Sequence, residues 1–265
     1  MSVDITTYDR NTEKYVIGDA LEYLQKSGEK ADLIYLDDAW ARPQRAGQFG
    51  VEYPTHGFDE SGRERAPDDS LTTSELLKAC KEALTAGGWL IADADDWLLP
   101  KLIQELQEEW GNVAKTYSGG GYRRIGGVTY IQKSAFKVDR SSAGKYLSNG
   151  GYPVVFAHKG ETERESTASA RQLAHKPTKN FGWGSVKPIE PYKRWIDALL
   201  ENGDKILVPC AGTAPAAIAV EQLEDKQIDY TCIDIDPRAR EAFEQRRETV
   251  QNDGDPDQRK LPSEY

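Results

Sequence analysis

The chain has 265 residues, 38% hydrophobic and 29% charged, with a formal net charge of −10. This length suits one large α/β domain or two small ones with a sizeable core, and the acidic balance argues against nonspecific nucleic-acid binding by the whole surface. No apolar run reaches the ~18 residues of a spanning helix, the polar segment 1–10 does not read as a secretory signal, and a cytoplasmic protein is expected. Cys80, Cys210 and Cys232 lie far apart, and His56, His158 and His175 are scattered. Reduced core thiols and no metal site are the expectation.

In chain order, Tyr15-Val16-Ile17 reads as a short strand, followed by Gly18-Asp19-Ala20 and a helix with Leu21 and Leu24 on one face. Ala31 to Leu36 is the next strand, which makes a parallel βαβ unit. Residues 41–70 form a long loop of Gly, Pro and charges, of the kind that is functional or disordered. Thr73-Ser74-Glu75 opens a helix expected to run through Leu84 and stop at Gly87-Gly88. Trp89 to Ala92 is a strand and Trp97 to Trp110 a helix. Val128 to Ile131 and Pro153 to Ala157 are strands in a glycine-broken region, and Gly160 to Phe181 reads as polar and irregular. Pro188 to Leu200 is an amphipathic helix, Lys205 to Val208 a strand, Thr213 to Leu223 a helix and Ile228 to Ile233 a strand. With no repeats and no clear linker, residues 1–250 read as one domain and 251–265 as a disordered tail.

The segment Leu33-Ile34-Tyr35-Leu36-Asp37-Asp38-Ala39-Trp40 is a buried strand ending in an acid, a polar turn and an aromatic ring. Open α/β sheets place their chemistry at such strand ends. A carboxylate that accepts hydrogen bonds from an amine, beside a flat ring that can stack, suits a base drawn out of a helix; an Asp that merely caps the next turn is the plainer alternative. A second strand, Ile206-Leu207-Val208, runs through Pro209-Cys210-Ala211-Gly212-Thr213-Ala214-Pro215 into a helix. Small residues there let a ligand approach the backbone near free N–H groups. Asp234, about twenty residues on, stands where an acid can hold a ribose diol. The Gly-Lys-Ser/Thr ending of a phosphate loop is missing, so a nucleoside pocket fits better.

Charge is unevenly distributed. Between Gly111 and Trp195 fifteen basic residues meet five acids, a net of +10 against −20 for the rest of the chain. A basic middle in an acidic protein reads as a polyanion footprint; a solvated face is the alternative, and a salt-rich host would also account for the acidic remainder.

Taken together these motifs resemble the amino-methylating DNA methyltransferases, which transfer a methyl group from S-adenosylmethionine to adenine N6 or cytosine N4, and among them the permuted subclass whose catalytic motif precedes the cofactor motif. The resemblance covers Tyr15 to Arg246. It rests on Gly18-Asp19-Ala20-Leu21, Leu36-Asp37-Asp38-Ala39-Trp40, Leu84 to Ile91, Tyr152 to Gly160, Lys187-Pro188-Ile189-Glu190 with Trp195-Ile196, Pro209 to Ala214, and Ile233-Asp234-Ile235-Asp236-Pro237. It implies a doubly wound, mixed, Rossmann-like α/β sheet, circularly permuted, with an embedded basic target-recognition region at about 111–187. It also implies Asp37, Asp38, Ala39 and Trp40 as the catalytic loop. Asp19, Ala20, Leu21, Lys187, Val208, Pro209, Cys210, Ala211, Gly212, Thr213, Asp234 and Ile235 would line the S-adenosylmethionine site. DNA is the implied partner, and a homodimer is left open. Adenine N6 is the first reading. N4-cytosine, a catalytically degenerate nucleic-acid-binding protein, and methylation of RNA or a small molecule are the alternatives. Three departures stand out: Asp38 and Ala39 replace both prolines of the family's catalytic loop, Val208 replaces the acid that opens its cofactor turn, and Ala214-Pro215 replaces its Gly-Thr.

Overall fold

The computed structural model of the protein describes residues 14–37, 72–94, 98–111, 120–132, 137–138, 150–164, 168–184 and 186–254. Eight strands form one sheet: β1 (Lys14–Ile17), β2 (Ala31–Leu36), β3 (Leu84–Asp93), β4 (Gly121–Ile131), β5 (Gly151–His158), β6 (Arg171–His175), β7 (Lys205–Pro209) and β8 (Asp229–Asp234). Their order is β1-β8-β7-β2-β3-β5-β4-β6. Only β5 runs against the others, pairing antiparallel with β3 and β4. The described residues also form six helices, α1 (Ala20–Lys26), α2 (Thr72–Ala83), α3 (Leu98–Trp110), α4 (Glu190–Leu199), α5 (Pro215–Glu221) and α6 (Pro237–Asp253).

Alternation along the strands sorts the core into two layers. Leu33 and Tyr35 of β2 face α4, α5 and α6, where they join Tyr192, Trp195, Ile218 and Phe243. Ile34 and Leu36 face α1, α2 and α3, with Leu24, Leu77, Leu102 and Leu106. Helices on both faces bury Leu33 to Leu36 of β2, which explains why this stretch reads as a continuous apolar run rather than an alternating one. Each such side chain contributes on the order of 1.5–3 kcal/mol on burial. In α4 the buried residues Pro191, Tyr192, Trp195, Ile196 and Leu199 fall on one helical face, as the spacing predicts.

Three expectations are corrected. The second helix ends at Ala83, and Leu84 already starts β3, which runs straight through Gly87-Gly88. Gly87 has φ +75, and a Cβ there would lie 2.7 Å from the Glu161 carbonyl oxygen, so the glycine serves close approach of the backbone that follows β5 and not a helix stop. The stretch 160–181 is not irregular throughout: Arg171–His175 is the edge strand β6, parallel to β4, and its short exposed–buried alternation is easily taken for loop. Helix α6 extends to Asp253, three residues into the expected tail. It buries Ala239, Ala242, Phe243, Arg246 and Val250, and its many charges hide that face in the sequence. The loop at 41–70 lies outside the described residues.

Candidate active site

Because β1, β8, β7, β2 and β3 are parallel, their C-terminal ends open on one edge of the sheet. The order turns between β7 and β2: from β7 the chain passes outward to β8 on one side, and from β2 outward to β3 on the other. Such a switch point leaves a crevice at the strand ends. The last registered pair of the two strands is Ile34 with Leu207. Asp37 and Cys210 each follow three residues later, so the acid and the small-residue turn leave the sheet as neighbours.

On the β7 side the turn is tightly wound. Cys210, Gly212 and Ala214 have φ of 57°, 52° and 43°. Two of these three left-handed positions are not glycine, a conformation worth about 1–3 kcal/mol of strain each. Backbone and side chains hold it: Ala211 N–H donates to Ile233 O at 2.9 Å, Gly212 N–H to Asp234 Oδ2 at 2.8 Å, and the Tyr15 hydroxyl to Gly212 O at 2.7 Å. Asp234 also accepts from Asp236 N–H at 3.0 Å. Burial pushes the Asp234 carboxyl up to about 6, against the pull of those N–H groups. The Trp183 indole covers the turn, with its nitrogen 3.0 Å from where a Cβ on Gly212 would stand. Arg246 of α6 ties the far end, donating to Thr213 Oγ1 at 3.0 Å and to Lys187 O at 2.6 Å.

On the β2 side a buried polar cluster surrounds one ammonium. Lys187 Nζ lies 2.7 Å from Asp37 Oδ1 and 2.7 Å from Asp93 Oδ2. Asp93, at the end of β3, is 2% exposed. Its Oδ2 also accepts from the Tyr192 hydroxyl at 2.6 Å and from the Tyr35 hydroxyl. The Tyr152 and Tyr192 hydroxyls are 2.7 Å apart, and the Tyr152 ring centroid is 5.0 Å from Lys187 Nζ. The contact to Asp37 is an ion pair outside hydrogen-bond geometry, so Asp37 Oδ1, like Asp93 Oδ1, has no hydrogen-bond partner among the described residues. Burial works against the Lys187 charge, but Asp37 and Asp93 outweigh it and hold its pKa above the usual lysine value. Burial raises Asp93 above the usual carboxylate range. Burial and the Asp93 charge also push Tyr35, Tyr152 and Tyr192 up, so all three remain neutral donors.

The structure brings some expected residues together and separates others. Gly212 and Asp234 are directly bonded, with Ala211 and Thr213 buried beside them. Val208 is fully buried in the core, so its side chain packs and does not line a pocket. Pro209 and Cys210 lead out of β7, and Ile235 is 40% exposed just past β8. Asp19 caps α1, accepting from Glu22 N–H at 3.0 Å, and Ala20 and Leu21 pack from that helix toward the α2 layer. Lys187 serves the acid cluster. Asp38, Ala39 and Trp40 lie outside the described residues. Sequence reasoning missed Asp93, although Ile91-Ala92-Asp93 is a strand ending in an acid just as Leu36-Asp37 is. It also missed Tyr15, Trp183 and Arg246, which carry no motif.

The basic segment is partly internal. Arg164 bonds Asp204 and the Leu199 carbonyl, Lys159 donates to Leu84 O at 2.6 Å, and Arg194 pairs with Glu190 at 3.0 Å. Arg124, Arg171, Lys176 and Lys179 are exposed. Among the described residues no group of His, Cys, Asp or Glu is placed to hold a metal ion, and no helix is long and apolar enough to cross a membrane.

No protein-family model matches the chain, and no curated protein is similar enough in sequence to count as a match. Solved structures do match. M1.HpyAVI superimposes with a TM-score of 0.61 at 11% identity, covering 88% of this chain and 96% of that one, and it has also been solved as a complex with SAM. The cytosine-N4-specific PvuII DNA methyltransferase gives 0.60 at 11% identity over 89% and 90%. TTHA0409 of Thermus thermophilus, complexed with S-adenosyl-L-methionine, gives 0.54 at 13% identity over 92% and 95%. The strand order, the lone antiparallel β5 and these superpositions establish that the chain has the mixed α/β fold of the S-adenosylmethionine-dependent methyltransferases.

Proposed function

We propose that the protein is an S-adenosylmethionine-dependent DNA methyltransferase that modifies the exocyclic amine of a flipped-out base, adenine N6 first and cytosine N4 second, in a permuted arrangement of the fold. The observation that carries this reading is the meeting, across one switch point, of the Gly212–Asp234 turn with the strand-end carboxylate Asp37. The cofactor-side residues fit a nucleoside: Asp234 is a buried acid whose lone pairs are only partly taken by backbone N–H groups, and Gly212 lets the flat Trp183 indole lie against the turn. Bound S-adenosylmethionine supplies an electrophilic methyl group. Asp234 and the turn would hold its nucleoside end, and Asp19, Ala20, Leu21, Cys210, Ala211, Thr213 and Ile235 stand around that edge.

Asp37 would accept one hydrogen of the target amine, which holds the nitrogen lone pair toward the methyl group; this is catalysis by positioning and electrostatics. The Asp38 carbonyl would take the second hydrogen and Trp40 would stack on the base. Exposed Arg171, Lys176 and Lys179 would contact phosphates from the basic region, with the loop 41–70 reading bases. A second reading, a retired enzyme that still binds nucleic acid, draws on Asp38 and Ala39 standing where the family has two prolines, which would stiffen the catalytic loop.

The test is incubation with labelled S-adenosylmethionine and mixed-sequence DNA, followed by nucleoside mass spectrometry. N6-methyladenine or N4-methylcytosine that disappears in Asp37→Ala supports the enzyme and names the base. DNA binding with no product, and product gained on changing Asp38 and Ala39 to proline, supports the retired enzyme. Methylation that survives Asp37→Ala overturns the assignment of the catalytic loop.

A further inference from the structure

We infer that Asp93 is a positioning residue for Asp37 and acts through Lys187, so that the ionisation of a residue that need not touch the base governs the acid that does. The inference rests on the methyl-transfer reading of Asp37. Its geometric basis is the sharing of one ammonium: Lys187 Nζ is 2.7 Å from a carboxylate oxygen on each side. A buried ammonium needs one counter-charge to offset its desolvation. This one has two, and they differ in kind. The Asp93 side chain is 1% exposed, is fixed on rigid β3 and gathers every described donor on one oxygen. The Asp37 side chain is 22% exposed and stands where β2 gives way to the loop. Asp93 therefore anchors the lysine, and the lysine places Asp37.

Among the described residues the groups facing the ammonium are few. They are Tyr35 and Asp37 from β2 and its end, Asp93 from β3, Tyr152 from β5 and Tyr192 from α4. The tyrosines remain protonated donors, so within this cluster the acid-side change belongs to Asp93, and reading the limb from kcat at saturating S-adenosylmethionine keeps the raised Asp234 of the cofactor turn out of it. The Tyr192 hydroxyl favours the charged form of Asp93, and burial opposes it. As pH falls through the raised Asp93 ionisation, Asp93 becomes neutral, the anchor weakens and Lys187 is drawn wholly onto Asp37. Two changes then have opposite consequences. Asp93→Asn removes the ionisation and should move the acid limb to lower pH. Tyr192→Phe keeps both charges but withdraws a donor from Asp93, and should move the limb to higher pH.

The experiment measures kcat and KM against pH for the full chain with DNA and S-adenosylmethionine. The expected result for Asp93→Asn is a fall in kcat of about 100-fold, the order seen when a reacting group is displaced by an ångström, with KM for S-adenosylmethionine little changed and the acid limb shifted down. Tyr192→Phe should give a smaller fall with the limb shifted up, and Lys187→Arg should recover part of what Lys187→Met loses. A purely structural Asp93 would lower activity at every pH with the limb unmoved, and that result overturns the inference. If Asp93→Asn does not fold, the direction of the Tyr192→Phe limb decides alone. If the wild-type protein methylates no DNA, the functional reading has failed. The coupling is then judged by carbon NMR titration of the Asp37 carboxyl: a midpoint that differs between wild type and Tyr192→Phe supports it, and an unchanged midpoint overturns it.

Discussion

Strand β2 carries an acid near each end, and the two acids live in different settings. Asp32, near the N-terminal end, accepts from Thr85 Oγ1 at 2.9 Å and from Lys205 N–H at 3.0 Å, and faces Arg164 at 3.6 Å. Both of its oxygens are hydrogen-bonded, and Arg164 is held in turn by Asp204. Asp37, at the other end, meets a lysine it shares with a second carboxylate, and its Oδ1 has no hydrogen-bond partner among the described residues. The first cluster joins β2, β3 and β7 with its polar capacity filled. The second is held by a shared ion pair, where β2 gives way to the loop. Charge and residue type are alike at the two ends; what separates a staple from a site is whether the hydrogen bonds are complete.

The largest effect expected from breaking this contrast is in catalysis. Asp37→Ala should lower methyl transfer by about 100-fold or more with cofactor affinity largely intact, whereas Asp32→Ala should leave kcat near wild type and lower only the melting temperature. Steady-state kinetics with calorimetry on both variants tests the pair, and equal kinetic losses would erase the distinction. Next comes stability. Lys187→Met leaves two carboxylates facing each other in a buried cluster and should cost about 3–5 kcal/mol in urea unfolding. Arg164→Met, whose side chain is 20% exposed, should cost less. A smaller effect concerns the cofactor turn: Asp234→Ala should weaken S-adenosylmethionine binding by about 1–3 kcal/mol.

The same residue sets a pH signature in the unliganded protein. Its folded value near 6 lies above the usual carboxylate value of 3.8, so the folded state binds the proton more tightly than the unfolded chain. The cost of keeping Asp234 charged is complete above about pH 6 and disappears as pH falls toward 4. Asp234→Asn should therefore gain stability over wild type at pH 7.5, with the gap closing near pH 4; a constant gap in melts across that range would contradict the burial argument. The smallest expected effect separates surface cations from internal ones. Neutralising Arg171, Lys176 and Lys179 should flatten the salt dependence of DNA affinity by up to ~2–3 units, while replacing Lys159, which is tied to backbone carbonyls, should leave the slope alone.

The parallel half of the fold was legible because its strands are apolar runs, and β2, β7 and β8 are buried on both faces. Val16-Ile17, Leu33 to Leu36, Ile206 to Val208 and Tyr230 to Ile233 read as apolar runs at helix-spaced intervals, and each lies in the expected strand. The glycine-rich half was less so. β3 passes through Gly87-Gly88, and β6 alternates over only five residues. The site divides in the same way. Asp37, Gly212 and Asp234 stand at strand ends whose position follows from the pattern, whereas the partnership of Lys187 with Asp93 joins residues 94 apart through a side-chain contact that no spacing encodes. The tyrosines were hidden for a related reason: Tyr35 reads as an ordinary core residue of β2 until its hydroxyl is seen to point at Asp93.

The place of β1 at one edge of the sheet bears on how the protein is made. Among the described strands its one neighbour is β8, with Lys14 opposite Thr231. A ribosome adding about 5–20 residues per second needs on the order of ten to forty seconds between the two. Over much of that time β2 also lacks β7, so one side of its apolar Leu33-Ile34-Tyr35-Leu36 run carries unmet backbone groups. Closing these long-range pairings late makes assembly slow, and it places the protein's greatest exposure to aggregation during synthesis, before its last two strands have emerged.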